Sequence, residues 1–509
     1  MASACKEEGN KLLADGKFTQ AVEKYSEAIT MHPTAIFLGN RAMAYLNLEN
    51  YGLAILDAEE ALTLDPDYLK AFYRRASANM ALGKYKLALK DFKQVARLRP
   101  TDREARAKYR ACEKLAKEAA FAEAIQLEDA EPMCVRMIPS EVVVEASYDG
   151  PIIEDDGMGP ITAEFVQAMM ERFKDQKMVA KRFVVRILTE SYRLLREQPS
   201  LMELTVPETG LNGGEGHFTV CGDTHGQYYD VLNIFQLNGL PSAANPYLFN
   251  GDFVDRGSFS LEVVLTFLAW KLACPEGMYL TRGNHESKNM NKIYGFEGEV
   301  KHKLDASVMT MFSEVFSCLP LAATINSKVF IVHGGLPSAD NVSLEQIAKV
   351  DRFREPPDSG LMSDLMWSDP QPFPGRSPSK RGVGMAFGAD ITNSFLDFNG
   401  LELLVRSHEV KEEGFLVEHG GKCITVFSAP NYCDQMGNKG AFIRFGPDLQ
   451  PQFTQYEAVS HPAVRPMAYA GFPGANFLPM STLSLPSCWL PLVLTWPYYQ
   501  GWGSLEKPI

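Results

Sequence analysis

Not one CxxC pair occurs among the nine cysteines of this 509-residue chain. An odd, scattered set excludes a disulfide framework and a thiolate zinc finger, and it fits a reducing compartment. The first eleven residues, MASACKEEGNK, contain no apolar run, so no secretory leader is expected there. Excess positive charge is lacking as well. Fifty Lys and Arg stand against 63 Asp and Glu, a net of −13, which argues against general nucleic-acid binding. The imbalance is uneven: residues 1–120 carry 20 bases and 16 acids, so the remainder carries −17. On charge alone the mildly basic front is a solvated helical surface rather than a docking site. Charge of either sign disappears between Arg465 and Glu506. The length predicts two to four domains.

Self-similarity is present from the start. GKFTQAVEKYSEAITMHP ends at Pro33, ENYGLAILDAEEALTLDP at Pro66 and GKYKLALKDFKQVARLRP at Pro100. Phe18, Tyr51 and Tyr85 correspond, as do Ala21, Ala54 and Ala88. A period of about 34 residues, with small residues where two helices meet and proline where the second stops, resembles the tetratricopeptide (TPR) repeat. Residues 1–125 are therefore expected to form an all-α array of three repeats, capped by a long charged helix over 103–125. The first repeat is one residue short around HPTAI, which predicts a tightened turn. In some TPR grooves a carboxylate clamp grips the acidic C-terminal tail of a chaperone of the heat-shock protein 90 type. The resemblance puts Lys6, Asn10, Asn40, Lys70 and Arg74 at the clamp positions. Two ammonium groups and a guanidinium give charge-assisted bonds to carboxylates, while asparagines fix a peptide backbone.

Between Val142 and Pro160 stand five acids and no base, so an acidic linker is expected over 126–155. Beyond it one device recurs: an apolar, β-rich run ends and ionisable residues follow. HFTV leads to Asp223 and His225, YLFN to Asp252, and MYLT to Asn284 and His285. VFIV leads to His333, LLV to His408, and CITVF to Ser428. Strand ends converging on one edge make a site, and intervening helical patterns give β-α-β connectivity. Asp, His and Asn without thiolate suit Mn, Fe or Zn. Asp223 and His225 grip one ion, Asp252 bridges to a second, and Asn284, His333 and His408 complete the second site. Such a pair of cations stabilises both the attacking and leaving oxygens of an in-line displacement. Each piece alone is weak evidence: an isolated DxH arises by chance, and a lone His after an apolar run is usually a core histidine.

The strings GDTHG, GDFVDRG and RGNHE together resemble the metallophosphoesterase signature. VHGGL, LMWSDP, RSHE, FSAPNYC and YGFEGEVK narrow the likeness to the PPP family of serine/threonine protein phosphatases, over residues 156–470. The resemblance implies an α/β metallophosphatase domain, a central β-sandwich flanked by helices. It implies hydrolysis of phosphoserine and phosphothreonine in phosphoproteins with two divalent metal ions, Mn²⁺ in vitro and Fe or Zn natively. It assigns His285 as the acid for the leaving alkoxide, Asp255 as its orienting partner, Arg256 and Arg381 as phosphate-holding arginines, and Tyr432 as the tyrosine over the site. It also implies that the TPR array covers and inhibits the site until a partner draws it away. A chaperone adaptor with a dead phosphatase domain is the rival class, but no ligand position is replaced. A phosphoesterase acting on nucleic acid or small esters is disfavoured by the acidic composition. The likeness ends near Ala470, and residues 471–509 form a divergent tail, uncharged as far as Leu505. Leu478 to Tyr499 is long enough to span a bilayer, but Pro479, Pro486, Pro491 and Pro497 break a helix. Cytoplasmic and nuclear residence is expected, with a tail-anchored form as the alternative.

Overall fold

The computed structural model describes residues 1–124 and 131–470. Residues 1–124 fold into seven helices: α1 (Ala2–Ala14), α2 (Phe18–Met31), α3 (Ala35–Asn47), α4 (Tyr51–Leu64), α5 (Leu69–Ala81), α6 (Tyr85–Leu98) and α7 (Arg103–Ala124). The second helix of each repeat stops at the residue before proline. His32, Asp65 and Arg99 all leave the helical region there, because the proline ring crowds a preceding α conformation. Ala21, Ala54 and Ala88 are fully buried at the helix contacts. A Cβ on Gly9 would lie 2.7 Å from the Tyr25 ring, so only glycine lets α1 approach α2 there. Three residues separate α2 from α3 and four separate α4 from α5, the shortening expected at HPTAI. Repeat-equivalent ion pairs brace the stack. Arg41 donates to both oxygens of Asp57 at 2.8 Å, and Arg75 to those of Asp91 at 2.8 and 2.9 Å.

The described part of the acidic linker is seated on the following domain. Glu314 accepts from the backbone N–H groups of Met133 and Cys134, at 2.8 Å each, and caps the short helix Met133–Arg136. Arg182 Nε donates to Val142 O at 2.6 Å. Cys134 and Ile153 are buried in the main helical core.

Fourteen strands follow: β1 (Leu201–Leu204), β2 (Phe218–Cys221), β3 (Tyr247–Asn250), β4 (Met278–Thr281), β5 (Ala322–Ile325), β6 (Val329–Val332), β7 (Asp369–Pro370), β8 (Arg376–Pro378), β9 (Met385–Phe387), β10 (Leu403–Arg406), β11 (Phe415–Glu418), β12 (Cys423–Val426), β13 (Gly440–Phe445) and β14 (Pro451–Tyr456). They form a sandwich of two sheets, ordered β1-β5-β6-β10-β12-β11 and β14-β13-β2-β3-β4, with a small ribbon β7-β9-β8 beside it. Val220, Leu248, Ile331, Val405, Ile424 and Ile443 fill the space between the sheets. The six strand ends that lead into the site, five of them bearing ligands, thus come from two sheets, three from each, not from the edge of one. The trio β2, β3, β4 runs parallel, as does the trio β6, β10, β12. Asn250 ties the two ends together, its Nδ2 donating to Val332 O at 2.8 Å and to Ser407 Oγ at 2.9 Å.

The repeat array is packed on this end of the sandwich. Leu46, Tyr51, Leu82 and Tyr85 share a core with Met290, Ile293, Tyr294 and Val383. Leu53 N donates to Lys380 O at 3.1 Å, Tyr85 OH to Asn289 Oδ1 at 3.0 Å, and the hydroxyls of Tyr51 and Tyr294 are hydrogen-bonded. Gly52 lies where a Cβ would meet Gly382 N at 2.6 Å and Ser379 O at 2.8 Å, backbone atoms that cannot move aside cheaply. No helix among the described residues is long and apolar enough to cross a membrane, and the tail 471–509 lies outside those residues.

Candidate active site

The loops after β2, β3, β4, β6, β10 and β12 surround one buried floor. His225 and Asp252 have positive φ, 41° and 51°, and so has His408 at 69°. These three ligands thus sit in left-handed turns, and such strain is tolerated where surrounding structure fixes it. Gly251 and Gly283 leave room for this, since Cβ atoms there would lie within 2.5 Å of Gly283 N and 2.2 Å of Asp252 Oδ1.

The imidazoles are set by their unused nitrogens. His225 Nδ1 faces Val254 O at 3.0 Å, and His333 Nδ1 faces Asn250 O at 2.7 Å, so both donate there and keep Nε2 as a lone pair. His225 Nε2 lies 3.6 Å from Asp252 Oδ2 and 3.7 Å from Asp223 Oδ2. His333 Nε2 lies 3.3 Å from Asp252 Oδ2, 2.9 Å from Asn284 Oδ1 and 3.3 Å from His408 Nδ1. Asp223 Oδ1 accepts from His408 N at 3.0 Å, and His408 Nε2 has no hydrogen-bond partner among the described residues. The six candidate ligands are all buried. Imidazole nitrogens and carboxylate and amide oxygens converge here, an arrangement that suits a cation. Burial pushes the Asp223 carboxyl up to about 7 and that of Asp252 up to about 8. The donor set, imidazole, carboxylate and amide oxygen without thiolate, fits divalent metal ions. By proximity two groups of ligand atoms lie within 4.8 Å, one of His225, Asp252 and His285, the other of Asp252, His333 and His408.

His285 differs from the others in its partner. Its Nδ1 is bonded to Asp255 Oδ2 at 2.8 Å, a carboxylate that also accepts from Asn291 Nδ2 at 3.1 Å and Phe296 N at 2.9 Å. Burial, with Arg256 and His333 nearby, holds the His285 pKa well below the usual imidazole value. Arg256 lies with its guanidinium 3.9 Å over the Tyr294 ring. Arg381 is fixed by Asp369, with Nε to Oδ2 at 2.7 Å, and by His408 O at 2.8 Å. Against its burial, Asp369 is held well below the usual carboxylate range by Arg381, Lys380 and Arg406. The Tyr432 ring lies 5.1 Å from that of His225. A cleft of about 840 Å³ is lined by Asp223, His225, Asp252, Arg256, His285, Arg381, His408 and Tyr432.

From the repeat array, Glu49 reaches into this cleft. In the turn between α3 and α4 its φ is 60°. Its carboxylate pairs with Arg256 and stands 4.0 Å from His285 Nε2.

The clamp candidates are mostly together. Asn10 Oδ1 accepts from Asn40 Nδ2 at 3.1 Å and from Tyr25 OH at 2.8 Å. Arg74 is buried beside Tyr68, with Nη1 unpartnered among the described residues. Burial, and then Arg74, holds the Lys70 pKa below its ordinary value. Lys6 lies one turn before Asn10 on α1.

A family model described as calcineurin-like phosphoesterase matches residues 216–412, one described as the PPP5 TPR repeat region matches 109–203, and tetratricopeptide models match 6–68 and 69–102. Serine/threonine-protein phosphatase 5 of Homo sapiens is 52% identical over 92% of this chain and 93% of its own length. The chain belongs to the serine/threonine-protein phosphatase 5 family. Serine/threonine-protein phosphatase T of Trypanosoma brucei brucei is 49% identical over 92% of this chain and 98% of its own. The solved structure of a protein serine/threonine phosphatase from Saccharomyces cerevisiae superposes with a TM-score of 0.58. It is 44% identical, covering 60% of this chain and all of that one. The chain is accordingly a protein serine/threonine phosphatase with a metal-binding catalytic domain and a TPR array, acting on phosphoproteins.

For a member of the phosphatase 5 family, three further residues matter: Glu49 and Asn291, which the sequence does not single out, and Glu286, which is expected to hold its loop by hydrogen bonds. Glu49 has just been described. Asn291 braces Asp255 and also donates to His285 O at 2.7 Å. Glu286 accepts from Asp252 N, Phe253 N and Gly283 N at 2.8, 2.8 and 2.9 Å, so it ties the β3 loop to the β4 loop. Asn284→Ala is expected to lower the metal content of purified protein with little change in melting temperature. Unchanged stoichiometry by elemental analysis would remove Asn284 from the ligand set.

Proposed function

We propose that this phosphatase cleaves phosphoserine and phosphothreonine by in-line attack of water and that its own TPR array holds it off. Asp223, His225 and Asp252 would hold one divalent metal ion, and Asp252, Asn284, His333 and His408 the other. Mn²⁺ fits in vitro, and Fe or Zn natively. When bound, the ions supply charge neutralisation and lower the pKa of a water. The chain's own groups do the rest. Arg256 and Arg381 grip phosphate oxygens through planar guanidinium edges. His285, oriented through Nδ1 by Asp255, presents Nε2 to the leaving alkoxide. From there it can deliver a proton to an alkoxide, a leaving group of high pKa. Tyr432 covers the cleft and limits water entry.

The observation that carries the inhibited state is the Glu49 carboxylate on Arg256, 4.0 Å from His285 Nε2. An anion there occupies the place of a substrate phosphate oxygen. Release falls to the groove on the array. Lys6, Asn10, Asn40, Lys70 and Arg74 suit an acidic peptide with a free C-terminal carboxylate, of the kind that ends a heat-shock protein 90 type chaperone. Lone cations destabilised by burial gain when a carboxylate arrives. Cytoplasmic and nuclear residence fits the described cysteines, all free.

The test is a synthetic peptide ending in consecutive acids and a free carboxylate, titrated into the full chain. Binding is expected in calorimetry, with a rise in turnover of a phosphoserine peptide. Arg74→Ala should weaken binding at least about 30-fold, the loss of roughly 2 kcal/mol that truncating one partner of a buried charge pair costs. Equal affinity of the variant would overturn the groove assignment while leaving the catalytic reading intact.

A further inference from the structure

The two phosphate-facing arginines are held in opposite ways. Arg381 is pinned by a carboxylate, whereas Arg256 touches only weak partners on its own domain. Its guanidinium lies over the Tyr294 ring at 3.9 Å. Its Nη1 meets Met467 Sδ at 3.8 Å. Its Nε has no hydrogen-bond partner among the described residues.

The backbone under Arg256 is equally unusual. Asp255 and Arg256 are consecutive non-glycine residues with φ of 69° and 70°. A left-handed pair costs of order 1–3 kcal/mol per residue unless its surroundings hold it. Much of that holding comes from the last described segment of the chain. Met467 N donates to Arg256 O at 2.8 Å, Ser258 Oγ to Arg465 O at 2.7 Å, and Ala468 N to Ser258 Oγ at 3.2 Å. Tyr294 O adds a bond from Arg256 N at 3.1 Å. Met467 itself is 6% exposed, has φ of 54°, and lines the catalytic cleft.

We infer that residues 465–470 form a strap over the Asp255-Arg256-Gly257 turn and that Met467 is a positioning residue for Arg256. The thioether is the suitable group for this task. Sulfur is polarizable and a weak acceptor. It supports the guanidinium without neutralising it, as an aspartate would. The outward edge of Arg256 therefore stays open for a phosphate oxygen, or for Glu49. The same contact serves substrate grip and self-inhibition, and it rests on the phosphatase reading above.

The experiment uses the full chain carrying Glu49→Ala, so that phosphate alone competes for Arg256. Inhibition by inorganic phosphate and the kinetics of a phosphoserine peptide are measured for Met467→Ala, Arg256→Ala and the double variant. Met467→Ala is expected to weaken phosphate inhibition about tenfold and to raise KM by a similar factor with kcat within threefold, the signature of lost uniform binding. In the double variant the Met467 effect should vanish, because the two residues act as one unit. Met467→Leu keeps the volume and removes the sulfur. It should retain the parental melting temperature and lose about threefold in phosphate inhibition, which keeps the test decisive if the alanine variant unfolds. Phosphate inhibition unchanged in the leucine variant, or losses that multiply in the double variant, would overturn the assignment. If the phosphate-ester chemistry itself were wrong, the parental Glu49→Ala chain would show no turnover to perturb.

Discussion

His285→Ala is expected to lower turnover of a phosphoserine peptide by about 10²- to 10⁴-fold, the range supplied by a positioned general acid, with both metal ions retained. The reasoning rests on which nitrogen is engaged. His225 and His333 give Nδ1 to backbone carbonyls, which leaves Nε2 as a donor atom for a metal. His285 gives Nδ1 to a carboxylate, Asp255, buried and braced by Asn291 and Phe296 N. A carboxylate partner stabilises the protonated ring, whereas a carbonyl only fixes a tautomer. His285 is nonetheless near enough to His225 and Asp252 to join them by distance alone. Elemental analysis of the variant separates the two roles. Loss of a metal equivalent would make His285 a ligand and remove it as the acid. A small ester with an already acidic leaving group, such as p-nitrophenol, should be less affected, since it needs no proton.

The second large effect is a gain. Glu49→Ala in the full chain should raise basal turnover at least about tenfold. Truncating one partner of a buried charge pair costs about 2–5 kcal/mol, and 1.4 kcal/mol is a factor of ten in the equilibrium between covered and open states. Glu49→Gln, which keeps the shape and loses the charge, should fall between. Gly52→Val provides the control at a distance from the chemistry. Its side chain would collide with the Gly382 and Ser379 backbone, so it should open the same interface while all the catalytic residues and Glu49 remain. If both Glu49→Ala and Gly52→Val left basal turnover at the parental level, the array would not be the inhibitor.

The repeat array could be read in the sequence because its constraints are local. Two helices can touch only at small residues such as Ala21, Ala54 and Ala88, and a helix must stop before Pro33, Pro66 and Pro100. The candidate ligands could be picked out because each stands shortly after an apolar run, and the fold brings them to one buried floor. The join between the sheets could not: Asn250 is just the end of YLFN until the tertiary structure brings Val332 and Ser407 to it. The acidic run after Val142 looks like a free hinge in composition, whereas Cys134 and Ile153 anchor its surroundings in a core. Glu49 gave no signal, because a glutamate in an interhelical turn is ordinarily solvated. Only the docking of Tyr51, Gly52 and Leu53 aims it at Arg256. The tail 471–509 and its membrane alternative fall outside the described residues.

On the proposed mechanism Glu49 and a substrate phosphate meet the same guanidinium, so inhibition takes the form of competition by a tethered ligand. A covalently linked carboxylate acts at an effective concentration of order millimolar, and dilution of the enzyme does not reduce it. A substrate is turned over by the resting enzyme only if its own affinity and local concentration outbid that figure. The Arg256–Glu49 pair would then work as an affinity filter. On the proposed mechanism, weakly bound phosphoproteins are refused until an acidic peptide fills the groove.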